Sequence, residues 1–288
     1  MNAATRPDAD PRQNQLLFAL LDTDWAHWLP QLEHVELRAG QVLHDAGSTQ
    51  AFLYFPTTAI VSMLYLTREG QSAEIAVVGN EGIVGVTLVM GGESTLSQAM
   101  VHHSGHAYRL RAQAVKTEMG RCGPLFAMLL RYTQSLITQV TQTAACNRFH
   151  SIEQQFSRRL LLGLDRSASD ELAMTQEMAA NLLGVRREGV TAAALKLQQA
   201  GVIRYSRGRI SVLDRARLEH HSCECYAATK KEHARLLHMS AHVPASRQAP
   251  APRLVRAPRP VPAPLVPHIA PRIPVSALRH TAMSDMRD

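Results

Sequence analysis

The spacing of hydrophobic positions along this chain changes character twice. Asn14 to Leu21 is apolar-rich and predicts a short helix, and Asp22-Thr23-Asp24 is placed to cap a second helix carrying Trp25, Trp28 and Leu32. From Val35 to about Leu110 the apolar runs shorten and turn residues separate them. Val35–Leu37 is followed by Ala39-Gly40, and Val42-Leu43 by Ala46-Gly47-Ser48. Phe52–Phe55 stops at Pro56, Ile60–Leu66 at Arg68-Glu69-Gly70, and Ser72–Val78 at Gly79-Asn80. Many short strands at this spacing predict an all-β barrel or sandwich, with no helix-length stretch before about Pro124.

The period then lengthens. Between Pro124 and Asn147, Phe126, Leu129/Leu130, Thr133, Leu136/Ile137, Val140 and Ala144 recur every three to four residues, which predicts one long amphipathic helix begun by a proline. Its stripe can pack on the β domain, on a second copy of the chain, or on both. Ser151–Leu164 predicts another helix with Ile152, Phe156, Leu160 and Leu161 on one face and Arg158 and Arg159 on the other. Beyond about Met239 proline, alanine and arginine dominate. Proline removes donors and fixes φ, so 240–288 is expected to be a disordered basic tail with a weak, salt-sensitive attraction to nucleic acid.

The segment Leu172–Leu213 carries the chemistry. Thr175 is a suitable N-cap, with Glu177 in the first turn, and Met178, Ala179, Leu182 and Leu183 form an apolar face. Gly184 can adopt the left-handed conformation of a tight turn. A second helix is predicted from about Arg186 to Ala200, its buried face supplied by Val190, Ala194, Leu195 and Leu197. It opens on Arg186-Arg187-Glu188. Arginine pairs bidentately with guanine and glutamate accepts from cytosine, while Thr191 and Lys196 lie on or near the same outer surface, within reach of phosphate. Val202–Tyr205 and Ile210–Leu213, joined through Ser206-Arg207-Gly208-Arg209, read as a β-hairpin whose basic turn suits phosphate contact. Together these are a helix-turn-helix with a wing, in which the second helix enters the major groove of double-stranded DNA.

Charge placement sharpens this picture. Residues 1–150 hold 10 Lys and Arg against 12 Asp and Glu, residues 151–239 hold 14 against 10, and 240–288 hold 7 against 2, so the net +7 sits in the C-terminal half. No run of uncharged apolar residues is long enough for a membrane span, and the polar N-terminus lacks a secretory layout, so a cytoplasmic protein is expected. Four cysteines (Cys122, Cys146, Cys223 and Cys225) are too few for a disulfide framework. The sequence has no phosphate loop, no H-E-x-x-H and no G-x-S-x-G, and no catalytic role is expected.

The run Thr175-Gln176-Glu177-Met178-Ala179 through Gly184-Val185-Arg186-Arg187-Glu188-Gly189-Val190 resembles the DNA-binding domain of the Crp/Fnr family of transcription regulators. The resemblance implies an α+β architecture. It divides into a cyclic-nucleotide-binding-like β-roll over 14–123, a dimerisation helix over 124–150, and a winged helix-turn-helix over 151–239. It also implies a homodimer reading a near-palindromic site, with RNA polymerase a possible partner. Thr175, Gln176, Arg186, Arg187, Glu188, Thr191, Lys196, Arg207 and Arg209 are the expected DNA-binding residues, Arg187 and Glu188 at positions the family uses to read bases. The catabolite activator branch has a further arginine where this chain has Ala192, so a different DNA sequence should be read. Gly189 costs roughly 1 kcal/mol inside a helix and suggests close backbone approach to DNA.

For an effector, the family's nucleotide-binding members hold the phosphate with a Gly-Glu pair and an arginine. The comparable positions here are Gly82, Gly85, Val86, Thr87 and Gln98. The glutamate place holds Ile83 or Val86, and no arginine occurs between Arg68 and Arg109, so cyclic-nucleotide binding is expected to be lost. The family's iron–sulfur oxygen sensors use several cysteines near the N-terminus, and none precedes Cys122 here. Cys223-Glu224-Cys225 with His220 or His221 offers two to four metal ligands but reads first as ordinary thiols. His102, His103 and His106 form a second cluster, with His102 and His106 expected to share an outward strand face. No cofactor or metal is expected. The rival reading is a ligand- or metal-binding signalling protein whose helix-turn-helix serves only protein contacts.

Overall fold

Seven strands occupy the period-two region: β1 (Glu33–Leu37), β2 (Val42–His44), β3 (Phe52–Pro56), β4 (Ile60–Leu66) and β5 (Ser72–Val78) lie near the five runs that turn residues bracket, and β6 (Ser97–His103) and β7 (Gly105–Arg111) follow where no separate run was marked off. The computed structural model describes residues 10–20, 22–121, 123–167 and 169–237. The expected basic tail, 240–288, and Cys122 lie outside them. The strands form two antiparallel sheets, β1-β7-β3 and β2-β6-β4-β5. Leu53, Phe55 and Leu110 are inaccessible and pack with Trp28, Leu16 and Leu17 from α1 (Gln15–Phe18) and α2 (Asp22–Trp28). Val61, Val78, Ala99 and Val101 fill a second core.

Two helices lie ahead of Pro124, where no helix-length stretch was expected. α3 (Val86–Val89) is a single turn, while α4 (Ala112–Met119) is a full eight residues. Its sequence, AQAVKTEM, is rich in strong helix formers, and the fully buried Val115 anchors it to the core. The reading for period-two alternation passed over it.

α5 (Pro124–Phe149) follows as one helix, begun by proline as expected. One face packs on the roll through Met128, Leu129 and Tyr132. Gln139 on the same helix extends a strand edge, accepting from the Val77 amide at 2.7 Å and donating to the Val77 carbonyl at 3.2 Å. α6 (Ile152–Leu164) starts with a capping box in which Ser151 and Gln154 satisfy each other's backbone amides.

Arg158 and Arg159 do not form a solvated face: they are 6% and 3% exposed. α6 is covered on several sides, so both guanidiniums are internal. Arg159 pairs with Glu74 of β5 at 2.6 Å, Ser62 donates to the other oxygen of that carboxylate at 2.5 Å, and Arg158 donates to Thr143 at 2.9 Å.

β8 (Glu171–Ala173), α7 (Gln176–Leu183), α8 (Arg187–Gln199), β9 (Ile203–Ser206) and β10 (Arg209–Val212) follow, the strands forming a sheet ordered β8-β10-β9. α9 (Arg215–His221) leads to α10 (Glu224–Leu237), which turns back along α5, where Ser135 and His233 Nδ1 are 3.0 Å apart. Among the described residues no helix is long and apolar enough to cross a membrane.

Candidate nucleic-acid interface

Local chemistry builds the helix-turn-helix much as its residues predict. Thr175 caps α7, its hydroxyl accepting from the Met178 amide at 3.1 Å. Gly184 ends α7 in the left-handed conformation, φ 64°, where a side chain would be strained. Arg186 is the N-cap of α8, so Arg187 and Glu188 form its first turn, and all three are exposed. At the hairpin tip Arg207 and Gly208 both take positive φ, 50° and 75°, the pattern of a two-residue type I′ turn.

Hydrogen bonds fix the wing against the two helices. The Tyr205 hydroxyl donates to the Met174 carbonyl at 2.9 Å, and its amide donates to Gln198 Oε1 at 2.8 Å. The Met174 amide donates to the Gly208 carbonyl at 2.8 Å. Between α8, the start of α7 and the wing lies an open groove of about 600 Å³. Arg187, Thr191, Leu195 and Gln198 line it from α8, Thr175 and Gln176 from α7, and Arg207 from the wing. Thr191 bridges two walls, its hydroxyl lying 3.0 Å from both Gln176 Oε1 and the Arg187 carbonyl.

The structure thus gathers five of the nine expected DNA-binding residues: Thr175, Gln176, Arg187, Thr191 and Arg207. Arg186 and Glu188 are exposed beside the groove at the start of α8. Lys196 is turned toward α6, 3.5 Å from Glu153, and Arg209 pairs with Glu171 at 2.6 Å, which offsets part of its charge.

Three details differ from the pattern-based reading. Leu195, expected in the core, is 50% exposed on the groove, because it continues the Arg187–Thr191 row one turn further on. Met178 is likewise 36% exposed, whereas Ala180 is buried on α7 and Ala193 on α8. Gly189 faces inward: a Cβ there would lie 2.6 Å from Ile152 Cδ1, so its smallness serves packing of α8 on α6 and not an approach of DNA.

The expected effector positions are engaged one by one. A Cβ on Gly82 would overlap the Tyr132 ring, and the Gly82 carbonyl accepts from Asn14. Gly85 caps α3 at φ 106°, and Val86 begins that turn, half-buried. Thr87 donates to Gln50 at 2.6 Å and Gln98 to Asp45 at 2.7 Å. The histidines do not share a strand face, since His102 and His103 end β6 while His106 lies on β7, stacked on His34 with ring centres 5.0 Å apart. Burial, with the nearby Arg159 charge, lowers the His102 pKa to about 3 and keeps it neutral.

Residues 157–221 match the Crp-like helix-turn-helix domain. The whole fold is similar to a transcriptional regulator of the Crp/Fnr family from Eubacterium rectale ATCC 33656, with 19% identity and a TM-score of 0.59 over 73% of this chain and 98% of that one. It is similar to FixK2 from Bradyrhizobium japonicum, with 16% identity and a TM-score of 0.58 over 67% and 98%. It is also similar to a Crp-family transcriptional regulator from Thermus thermophilus, with 18% identity and a TM-score of 0.55 over 65% and 96%. No curated protein matches the chain in sequence. The chain therefore has the Crp/Fnr regulator fold, β-roll, long helix and winged helix-turn-helix together.

Proposed function

We propose that this chain is a sequence-specific, DNA-binding transcription regulator acting in the cytoplasm as a homodimer and catalysing no reaction. The observation that carries the reading is the groove between α8 and the wing, lined by Arg187 from the exposed start of α8 and by Arg207 from the wing. Arg187 and Glu188 read base edges, assisted by Arg186. Thr175, Gln176, Thr191 and the wing residues Arg207 and Arg209 position the domain on phosphates. Lys196, held toward Glu153, contributes only if DNA draws it away.

Dimerisation is supported by the outer face of α5. Ala127, Leu130, Gln134, Ile137, Thr141 and Ala144 are spaced alternately three and four residues apart, and Leu130 and Ile137 are 44% and 56% exposed. That is a coiled-coil seam left uncovered by the chain's own roll. On this reading 14–123 is the sensor, 124–150 the dimer helix and 151–239 the DNA-binding domain, and two recognition helices sit about 34 Å apart on a near-palindromic site. RNA polymerase is the natural further partner. The effector is not a cyclic nucleotide, because the positions that would hold its phosphate are committed to Tyr132, Gln50 and Asp45 and carry no guanidinium.

The test is selection of binding sites from a random duplex DNA pool at about 0.15 M salt, where weak phosphate attraction is partly screened. Wild type should enrich a two-fold symmetric motif that Arg187→Ala weakens or changes. Equal, motif-free binding by both proteins, with and without cell extract, would favour a helix-turn-helix used only for protein contacts.

A further inference from the structure

Beyond the DNA-reading role, we propose that Cys146, His150, Cys223 and Cys225 form a closed Cys3His site for a single thiophilic divalent cation of the zinc class, pinning the start of α10 to the joint between α5 and α6. Neighbouring histidines suggested by sequence do not take part: His221 is committed to Glu153 at 3.0 Å. The two further ligands come instead from the far end of α5.

The geometry fits one ion. The four ligand atoms all lie within 4.8 Å of one another. Cys146 Sγ is 3.5 Å from Cys223 Sγ, and Cys225 Sγ is 3.6 Å from His150 Nδ1. A tetrahedral zinc with Zn–S of about 2.3 Å and Zn–N of about 2.0–2.1 Å separates its ligand atoms by about 3.5–3.8 Å. The three cysteines are 0%, 4% and 2% exposed and form a buried cluster of their own, apart from the apolar cores. Three soft thiolates and an imidazole in a closed set select zinc over calcium or magnesium, and leave no open position for catalysis.

The surroundings are those of a ligand set. His150 Nε2 lies 3.2 Å from Glu224 Oε1. A proton held there by the carboxylate leaves the Nδ1 lone pair facing the sulfurs, the outer contact that orients metal-bound histidines. Cys146 and His150 stand one turn apart, with the His150 amide donating to the Cys146 carbonyl at 3.1 Å, and Gln155 Nε2 donates to the His150 carbonyl at 2.9 Å. Three thiolates around a dication carry one net negative charge. The buried Arg158 guanidinium acts electrostatically on Cys146 and Cys225 and balances it. Binding releases the thiol protons to solvent.

The site lies where the long helix hands over to α6, and α6 is packed against α8. A bound ion therefore ties α10 to the joint between α5 and α6, next to the helix on which α8 packs.

The full-length protein, purified in reducing, chelator-free buffer, should carry one zinc per chain by elemental mass spectrometry. Cobalt(II) added to stripped protein should give thiolate-to-cobalt charge-transfer bands with tetrahedral ligand-field absorption. Cys223→Ser should lose both signals, while His220→Ala keeps them. Should Cys223→Ser fail to fold, the wild-type cobalt spectrum decides alone. Wild type without zinc and without cobalt–thiolate bands overturns the proposal, as does unchanged metal content in Cys223→Ser, or a Cys146–Cys223 disulfide in protein grown and purified with zinc. None of these readouts involves DNA, so they stand or fall apart from the regulator reading.

Discussion

Arginine plays opposite parts in two regions of this molecule. On the winged domain's outer surface Arg187 and Arg207 line a groove open to solvent, and Arg186 is exposed beside it. At the junction with the roll, Arg158 and Arg159 are nearly inaccessible and the Arg166 side chain is 7% exposed. Arg159 meets Glu74 of the roll, and Arg166 meets Glu81 at 2.7 Å while donating to the Leu162 carbonyl. The first group is available to an external anion and the second has its anion supplied internally. The net positive charge of 151–239 therefore overstates the basic surface, since three of its arginines are sealed inside. Buried pairs of this kind do little for net stability, but they bind the two halves in one arrangement, because losing either partner strands a charge.

Four outcomes would break or sharpen that contrast. Glu74→Gln should leave Arg159 buried without its counter-charge and lower stability by about 3–5 kcal/mol, read as a drop in urea midpoint. An unchanged midpoint would mean that water reaches Arg159 and that the junction is looser than its packing implies. Acidification should act on the same side of the contrast. His102 is held neutral, with its pKa lowered to about 3 from 6.5, so the unfolded chain binds its proton first. Its contribution is whole above pH 6.5 and lost as pH falls from there toward about 3, and His102→Gln should flatten that part of the stability–pH curve.

On the exposed side, Arg187→Ala should weaken specific DNA binding by about 1–3 kcal/mol, roughly 5- to 150-fold, while thermal stability stays within about 0.5 kcal/mol of wild type. A large loss of stability in this variant would assign Arg187 to the fold. The smallest effect is expected from Arg207→Ala at the wing tip. DNA affinity should fall by a similar factor for every sequence, and the dependence of log affinity on log salt should become shallower by about one unit.

Much of the winged helix-turn-helix proposed to read DNA was legible in the sequence, because the determinants of its local structure are local. Thr175, Gly184 and the Arg207-Gly208 pair act through caps and backbone conformations that neighbouring residues alone decide. Leu195 was misplaced because periodicity gives the faces of a helix but not which of them a neighbour will cover. α4 was not anticipated because eight residues, two of them the β-branched Val115 and Thr117, are too short a stretch to show a helical period beside a strand-rich region.

By itself the sequence determined the first five strands of the roll, the long helix, the two helices around Gly184 and the basic hairpin. These follow from side-chain period and from φ and ψ preferences that act over a few residues. Only the tertiary structure decided which arginines face solvent, that Gly189 is small for Ile152, and that Cys146 and Cys223, 77 residues apart, come within 3.5 Å. Burial and close approach depend on which distant element packs over a given face, and no local preference carries that information.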